Sequence, residues 1–210
     1  MNPLFFKEKT EFLTSKNFKD VTGLSDIHFD KNTTLSLKGE ISLSAGIHFS
    51  GICNLDDGVS IDMCCSLKNV TIGKNTYVRS YSVLQDSIFG ESNIVGPYCF
   101  VRDETLVGNN CIVGSHVEVA RSKLGSKTKI SHQAFIGDAI IDKSVIIGAG
   151  VVFCNYDGSC KQSSEVGEGT IIGSGSMIVS PIKVGSQAII GAGSIITKDI
   201  DDNIKFMQKR

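Results

Sequence analysis

The 210-residue sequence has almost no net charge, no long apolar run and no tryptophan. Lysine and arginine number 21 against 22 aspartates and glutamates, which leaves a net charge of -1. A protein that holds a nucleic-acid backbone or an anionic membrane surface needs a basic field, so we expect neither partner. The most apolar window, residues 145–154, is broken by glycines and falls well short of the ~18–20 residues that span a bilayer. No membrane span is therefore expected.

The amino-terminal segment and the cysteines both lack the patterns of a secreted protein. A short apolar patch, PLFF, is followed by mixed charges instead of a signal-peptide core. The 7 cysteines contain no CxxC pair, and no His/Cys quartet for a metal accompanies them. We therefore expect a cytoplasmic protein with reduced thiols and no metal, in which Cys99 and Cys111 fill small positions of the core.

What the sequence does contain is an aliphatic residue that recurs at a six-residue step. The clearest run proceeds without a slip through Val166, Ile172, Ile178, Val184, Ile190 and Ile196. A step of six fits neither a helix nor a simple strand, but it fits a triangular coil in which each hexad supplies one short strand and one tight turn. The sequence therefore predicts an all-β fold, a parallel β-helix of about seven coils stacked at the ~4.8 Å spacing of neighbouring strands.

Changes in this repeat set the expected boundaries. The coils are expected to cover residues 34–203. Residues 1–33 carry phenylalanines among charges and predict a short amphipathic helix or a capping segment. Residues 204–210 are the expected tail, and the polar residues 157–165 predict a loop that leaves the prism. This loop would carry Lys161 beside Asn155 and Tyr156 and could form the wall of a pocket.

Counting hexads puts one histidine in line with three small residues. His132, Ala149, Ser174 and Ala192 all take the third position of the same face on successive coils. A corner of small residues that ends in an imidazole suits a long thin ligand such as the pantetheine arm of acetyl-CoA. Transfer of an acetyl group to an amine needs a base near neutral pH, and His132 can serve, with His116 on the preceding turn as its rival.

Other residues near this corner are candidates for supporting roles. Glu118, one coil before His132, could hydrogen-bond the imidazole and fix its tautomer. The oxyanion of a tetrahedral intermediate needs a hydrogen-bond donor, for which Asn155 or the backbone amide of Ala149 or Gly150 is available.

Four segments between Gly96 and Asn203 carry a resemblance to a known family. They read GPYCFVRDE, SHVEVARSKLGSKTKISHQAFIGDA, IGAGVVFCNYDG and VGSQAIIGAGSIITKDI. In order and nearly without gaps, they resemble the acetyltransferase domain of the bacterial bifunctional N-acetylglucosamine-1-phosphate uridyltransferase/glucosamine-1-phosphate acetyltransferase. The resemblance implies a left-handed β-helix, a homotrimer with sites between subunits, and acetyl-CoA as co-substrate. No glycine-rich nucleotide loop opens this sequence, so uridyl transfer is not expected.

The resemblance also implies roles for single residues. The residues that match the family's catalytic base, its carboxylate partner, the oxyanion donor and the acetyl contact are His132, Glu118, Asn155 and Tyr156. The residues that match its CoA contacts are Ala149, Ser174, Ala192 and Lys209. The retained contacts to the sugar phosphate are Arg102 and Lys161. The sequence departs from the family where a lysine, a tyrosine and an asparagine are replaced by Ala120, Phe135 and Ile146. Arg121 stands next to the vacant lysine position and could substitute for it. Each lost contact is worth ~1–3 kcal/mol, so a rebuilt acceptor site is expected.

The predicted function is N-acetylation of an amino sugar, as a sugar phosphate or a nucleotide-linked sugar, for a surface polysaccharide or cell-wall precursor. Three alternatives stay open: acetylation of glucosamine-1-phosphate as in the parent family, O-acetylation, and a non-catalytic trimeric scaffold. A zinc hydratase of the same fold is not expected, because the sequence has no H-x₄-H spacing.

Overall fold

The computed structural model describes residues 26–208, together with the backbone of residues 4–5 and 18–21. Its regular elements are β-strands, mostly two to four residues long, and no α-helix occurs in the described ranges. In chain order the strands are β1 (Leu4–Phe5), β2 (Phe18–Val21), β3 (His28–Phe29), β4 (Thr34–Leu37), β5 (Ile41–Leu43), β6 (His48–Ser50), β7 (Ile52–Leu55), β8 (Ser60–Ile61), β9 (Ser66–Ile72), β10 (Tyr77–Val78), β11 (Val83–Phe89), β12 (Ile94–Val95), β13 (Phe100–Arg102), β14 (Leu106–Val107), β15 (Ile112–Ser115), β16 (Glu118–Ala120), β17 (Lys123–Leu124), β18 (Lys129–His132), β19 (Phe135–Gly137), β20 (Ala139–Ile141), β21 (Ile146–Ile147), β22 (Val152–Cys154), β23 (Ser164–Val166), β24 (Ile171–Ile172), β25 (Met177–Val179), β26 (Lys183–Val184), β27 (Ile189–Ile190), β28 (Ile195–Ile196) and β29 (Lys205–Phe206). The predicted all-β fold is confirmed.

The strands stack as the three faces of a triangular prism. An 11-stranded sheet that runs from β2 to β29 forms the first face, and each strand pairs in parallel with the strand one coil later. An 18-stranded sheet covers the second and third faces, because β9 and β11 each continue across the corner between them. In most coils, paired residues are 17 or 18 positions apart, as for Val78 with Val95 and Val95 with Val113, and the loop widens this spacing to 25 for Ile147 with Ile172. Three hexads therefore make one coil, and the predicted parallel β-helix is confirmed.

The interior of the prism holds the aliphatic residues of the repeat, with small hydroxyl residues between them. Ile172, Ile190 and Ile196 are buried, as the six-residue step predicts. The buried hydroxyl groups donate hydrogen bonds to backbone carbonyls. Ser176 Oγ, for example, donates to the carbonyl of Gly173 at 2.7 Å. No buried side-chain polar atom lacks a partner in the described part of the chain. The narrow core is therefore both filled and satisfied.

The coils extend beyond the expected boundaries at both ends. His28–Phe29 already pairs in parallel with His48–Phe49, and the backbone of Phe18–Val21 pairs with Ile41–Leu43, upstream of residue 34. At the other end, Lys205–Phe206 of the expected tail pairs with Ile189–Ile190. Most of the expected amphipathic helix or cap lies outside the described residues. The prism has about ten coils, or ~48 Å of length, instead of about seven.

The expected loop leaves the prism between β22 and β23, at the corner between the second and third faces, and the chain rejoins the sheet at Ser164. Its base is an antiparallel bridge between Tyr156 and Lys161. The carboxylate of Asp157 accepts hydrogen bonds from the amides of Ser159 and Cys160, each at 2.8 Å. These backbone hydrogen bonds, led by that of Cys160, lower the pKa of Asp157 well below its ordinary range. The loop is therefore stabilised by hydrogen bonds among its own residues.

The structure bears on two further expectations. All seven cysteines are free thiols, and burial raises the pKa of Cys99 to about 12, which suits a core residue and not a reactive one. Among the residues that the structure describes, no helix has the length and apolarity to cross a membrane.

Candidate active site

The first corner, where the chain turns from the first face to the second, carries His132 in a row with small residues of later coils. His132 ends β18 and pairs with Ser115 of the preceding coil. Buried isoleucines two positions before each row member pair coil by coil, which fixes the alignment. We call the aligned residues at the corner the corner row, and they are His132, Ala149, Ser174 and Ala192. The alignment predicted by counting hexads is confirmed.

The surface beside the corner row is open. Gly150, Gly175 and Gly193 directly follow its last three members, with φ values of 73°, 69° and 72°. A Cβ added at Gly175 or Gly193 would meet no atom within 4 Å. A long thin ligand therefore has room along this line. The Gly150 amide, however, donates to the carbonyl of Gln133 at 2.7 Å, so this expected oxyanion donor is already used in stacking the coils.

His132 itself is exposed and, within residues 26–208, forms no hydrogen bond or ion pair with another side chain. Its expected partner Glu118 lies on β16 and accepts hydrogen bonds from Arg102, from Nε at 3.0 Å and from Nη2 at 2.7 Å. A guanidinium of the preceding coil thus holds this carboxylate in the single chain, because a charged fork donates two bonds where an imidazole offers one. The role of Glu118 as the partner of His132 stays a prediction.

A chain of ion pairs runs along the second corner, between the second and third faces. Arg102 contacts Asp103 as well as Glu118. Arg121 donates to Asp103 from Nη1 at 2.8 Å and clamps Asp138 with Nε at 2.7 Å and Nη2 at 3.0 Å. We call these five residues the second-corner network. Its two guanidinium groups meet three carboxylates, so neither arginine is left unpaired for a phosphate.

Asp138 of this network anchors Asn155, the expected oxyanion donor. Asn155 is 8% exposed, and its Nδ2 donates to Oδ2 of Asp138 at 2.5 Å. Burial raises the pKa of Asp138, but the hydrogen bonds from Arg121 and Asn155 outweigh it, so the pKa lies below the ordinary value. An amide nitrogen carries two hydrogens, so a second donor of Asn155 remains for an oxyanion.

Sequence reasoning missed Asp138 and Asp103. Both have positive φ, at 53° and 56°, in the tight turn of the second corner. In the sequence, an aspartate at such a position is interpreted as an ordinary turn residue, because aspartate tolerates this backbone conformation. Only the register, which stacks Arg121 between the two carboxylates, reveals their role.

The surface expected to hold an acceptor is closed at two of the three altered positions. Ala120 is fully buried. A Cβ added at Gly137, the next residue of the same row, would lie 2.8 Å from Cζ of Phe135, so the Phe135 ring lies against this strip. Ile146, by contrast, is exposed on the first face. A lysine in place of Ala120 would therefore have to displace its neighbours.

The remaining candidates lie on the loop or outside the described residues. Tyr156 is exposed, and its hydroxyl donates to the carbonyl of Gly158 at 2.8 Å. Lys161 lies near enough to Asp138 for its charge to help lower the pKa of that carboxyl. Lys209 lies outside the described residues. The structure thus gathers Asn155 and Lys161 at the second corner, while His132 stays at the first.

Comparisons with known proteins agree with this architecture. Residues 163–198 match the family described as bacterial transferase hexapeptide (six repeats). These 36 residues therefore carry a repeat similar to the hexapeptide repeat of bacterial transferases. It is 37% identical over 179 residues to the bifunctional protein GlmU of Herminiimonas arsenicoxydans, and 37% identical over 180 residues to that of Acinetobacter baumannii (strain AYE). The resemblance predicted from the sequence, and the left-handed β-helix it implies, are supported.

These matches cover 85% and 86% of this chain but 40% of each relative, so the chain spans less than half the length of the relatives it matches. Among solved structures, the UDP-N-acetylglucosamine acyltransferase from Campylobacter jejuni is 17% identical, with a TM-score of 0.47, over 86% of this chain and 68% of that one. That likeness is too low to bear on function.

Proposed function

We propose that this chain transfers the acetyl group of acetyl-CoA to the amine of an amino sugar. The observation that carries the proposal is the corner row, in which an exposed imidazole ends a line of small residues beside open surface. A thin thioester arm fits along this line with its acetyl group at His132. The transferase hexapeptide repeat and the resemblance to an acetyltransferase domain support the same reaction.

In the proposed reaction, the amine nitrogen attacks the carbonyl carbon of the thioester. His132 takes the proton that the nitrogen loses as the new C–N bond forms. The free N–H of Asn155 is the candidate donor to the oxyanion of the tetrahedral intermediate. When the C–S bond breaks, the CoA sulfur takes the proton from the imidazolium. The products are an acetamide and the CoA thiol, so atoms and charge balance.

We further propose a homotrimer in which neighbouring copies complete the site. In one chain, the second face separates His132 from Asn155, so a second copy is needed to bring them to one acceptor. Ile146, Ile171 and Ile189 form an exposed apolar row along the first face, in register on successive coils. Such a row is stabilised when another copy covers it. A monomer by sedimentation at micromolar concentration would contradict this proposal.

The charges of the second corner limit which acceptors can bind there. Because Arg102 and Arg121 are paired with three carboxylates, we do not assign a phosphate to either of them. Lys161 is the remaining candidate for an anion. Glucosamine-1-phosphate is therefore disfavoured as the acceptor.

A thiol-release assay tests the function directly. Acetyl-CoA is offered with amino sugars, their 1-phosphates, nucleotide-linked amino sugars and the matching hydroxyl sugars. We expect thiol release with an amino acceptor. When the matching hydroxyl sugar replaces it, we expect no thiol release and no change in the mass of the sugar. Release with hydroxyl sugars alone would favour O-acetylation, and no release with any acceptor would favour a scaffold. The seven free cysteines are consistent with a reducing, cytoplasmic setting for the reaction.

A further inference from the structure

The side-chain amide of Asn155 contacts two consecutive residues of the preceding coil, Gly137 and Asp138. Asn155 is 8% exposed, and its Nδ2 donates to Oδ2 of Asp138 at 2.5 Å. Its backbone is held separately, because its amide donates to the carbonyl of Phe153 at 2.9 Å and its carbonyl accepts from the amide of Gln162 at 2.7 Å. With the backbone fixed, the orientation of the side-chain amide depends on the two residues that it contacts.

Asp138 determines which end of the amide faces it. Burial raises the pKa of Asp138, but the hydrogen bonds from Arg121 and Asn155 bring it below the ordinary value, so this carboxyl is ionised at neutral pH. An ionised carboxylate only accepts hydrogen bonds, so the NH₂ group of Asn155 faces it and Oδ1 faces away. The reversed amide would place two acceptor oxygens against each other. Within residues 26–208, the second N–H of Asn155 has no hydrogen-bond partner.

Gly137 provides the space beside the amide. A Cβ added at this position would lie 2.5 Å from Nδ2 of Asn155 and 2.8 Å from Cζ of Phe135. Gly137 does not have a positive φ, so the backbone conformation alone does not require a glycine here. The close approach of the Asn155 amide does require one, since any side chain would displace it.

We infer that Gly137 and Asp138 are positioning residues, which hold Asn155 so that it offers an N–H, and not its oxygen, to the oxyanion. The inference rests on the proposed function. Neither residue touches the reacting atoms, and both act through Asn155. Arg121 fixes Asp138 from the other side, with Nε at 2.7 Å and Nη2 at 3.0 Å. The donor is therefore oriented before an acceptor binds, as stabilisation of a developing charge by a preorganised site requires.

Steady-state kinetics of variants at position 138 test the inference. Asp138→Gly removes the acceptor oxygen, and glycine suits the φ of 53°. Because losing an oxyanion donor costs ~10²–10³-fold in kcat, we expect kcat to fall at least ~10-fold with little change in the KM for acetyl-CoA. Asp138→Asn keeps an oxygen for the bond from Asn155 and should retain kcat within ~threefold. Asp103→Gly, at φ 56°, is the matched control, because it removes the other carboxylate bound to Arg121 without touching Asn155.

Gly137→Ala tests the same inference without removing a charge. The added Cβ displaces the amide of Asn155, so kcat should again fall at least ~10-fold. Gly125→Ala is the matched control. It lies between β17 and β18, at the corner between the third and first faces, and its Cβ would come 2.5 Å from the amide nitrogen of Lys143. This variant is as crowded as Gly137→Ala, but it should leave kcat unchanged.

A double-mutant cycle separates positioning from a structural role. Rates are expressed per folded protein, with the folded fraction taken from chemical denaturation. In an Asn155→Ala background, Asp138→Gly should lower kcat by less than ~twofold, because the donor that it positions is already absent. An equal fall in kcat in both backgrounds overturns the inference, and so does an unchanged kcat in Asp138→Gly and Gly137→Ala.

The proposed function and the inference fail in different ways. If the unaltered protein releases no thiol with any acceptor, acetyl transfer is refuted and the positioning role falls with it. If the unaltered protein releases thiol and the variants at positions 137 and 138 behave like their controls, only the positioning role is refuted.

Discussion

Replacing Asp138 by asparagine tests the second-corner network at its most buried carboxylate. The Asp138 side chain is 16% exposed and accepts two hydrogen bonds from Arg121 and one from Asn155. The asparagine oxygen can take the place of Oδ2 and keep the bonds from Nη2 of Arg121 and from Asn155, but its NH₂ group would then face the Nε–H donor of Arg121. The lost bond to a charged donor, at ~1.5–3 kcal/mol, and an NH₂ group held against that donor, less the gain from removing a partly buried charge, give a destabilisation of ~2–3 kcal/mol in the free energy of unfolding.

Asp103→Asn is the matched control. It removes a carboxylate from the same guanidinium, 2.8 Å from Nη1 of Arg121, but the Asp103 side chain is 43% exposed. Solvent screens this pair, so we expect a cost below ~1 kcal/mol that shrinks further in high salt. Chemical denaturation measures the loss in the free energy of global unfolding for both variants. Stacked coils need not unfold in one step, so the free energy of local opening is measured separately. Hydrogen exchange of the amide of residue 138, which donates to the carbonyl of Ala120 at 3.0 Å, reports this local opening.

The pH dependence of this effect has a definite sign. The folded-state pKa of Asp138 lies below the ordinary value of 3.8, so its contribution to stability is complete above that value and is lost as the pH falls through the folded pKa. The unaltered protein should therefore lose more stability below ~pH 4 than Asp138→Asn does. Equal costs for Asp138→Asn and Asp103→Asn, or coincident acid profiles, would refute the reasoning.

Three further predictions concern the proposed chemistry. His132→Ala should lower kcat by ~10²–10⁴-fold with little change in the KM for acetyl-CoA, and a loss below ~threefold in steady-state assays would remove His132 from the mechanism. Ala192→Trp should raise the KM for acetyl-CoA at least ~tenfold by filling the corner row, whereas tryptophan at the exposed Lys198 should not. Glucosamine-1-phosphate should be a poor acceptor because Arg102 and Arg121 are already paired, and a kcat/KM of ~10⁴–10⁸ M⁻¹s⁻¹ for it would contradict this.

The fold could be predicted because every coil repeats its inward residue at the same step. The expected number of coils was too small because the first coils lack a glycine after the aliphatic residue. The first coils use the same step with other residues at the corners, through Leu37, Leu43, Phe49, Leu55, Ile61 and Leu67, all buried. The aliphatic step alone is therefore enough to define a coil, since burial sets the register and the corner needs only a residue that tolerates the turn.

The corner row could be predicted for the same reason, whereas the pairing of charges could not. A step of 17 or 18 residues places Glu118 within reach of residues on both neighbouring coils. From the sequence, His132 and Arg102 compete for this carboxylate on equal terms. The structure favours Arg102, because its guanidinium lies on the adjacent coil of the same face and donates two bonds. Side-chain geometry, and not the repeat, decides between such partners.

The paired arginines decide how much affinity an acceptor could gain from a phosphate. A phosphate that took Arg121 would have to displace Asp138, and a half-buried carboxylate would then lose its cation. Breaking such a pair costs ~3–5 kcal/mol when it is fully buried and less at a partly exposed pair, so part of the gain from the phosphate would be offset. The paired arginines therefore discriminate against an acceptor that relies on a phosphate at this corner.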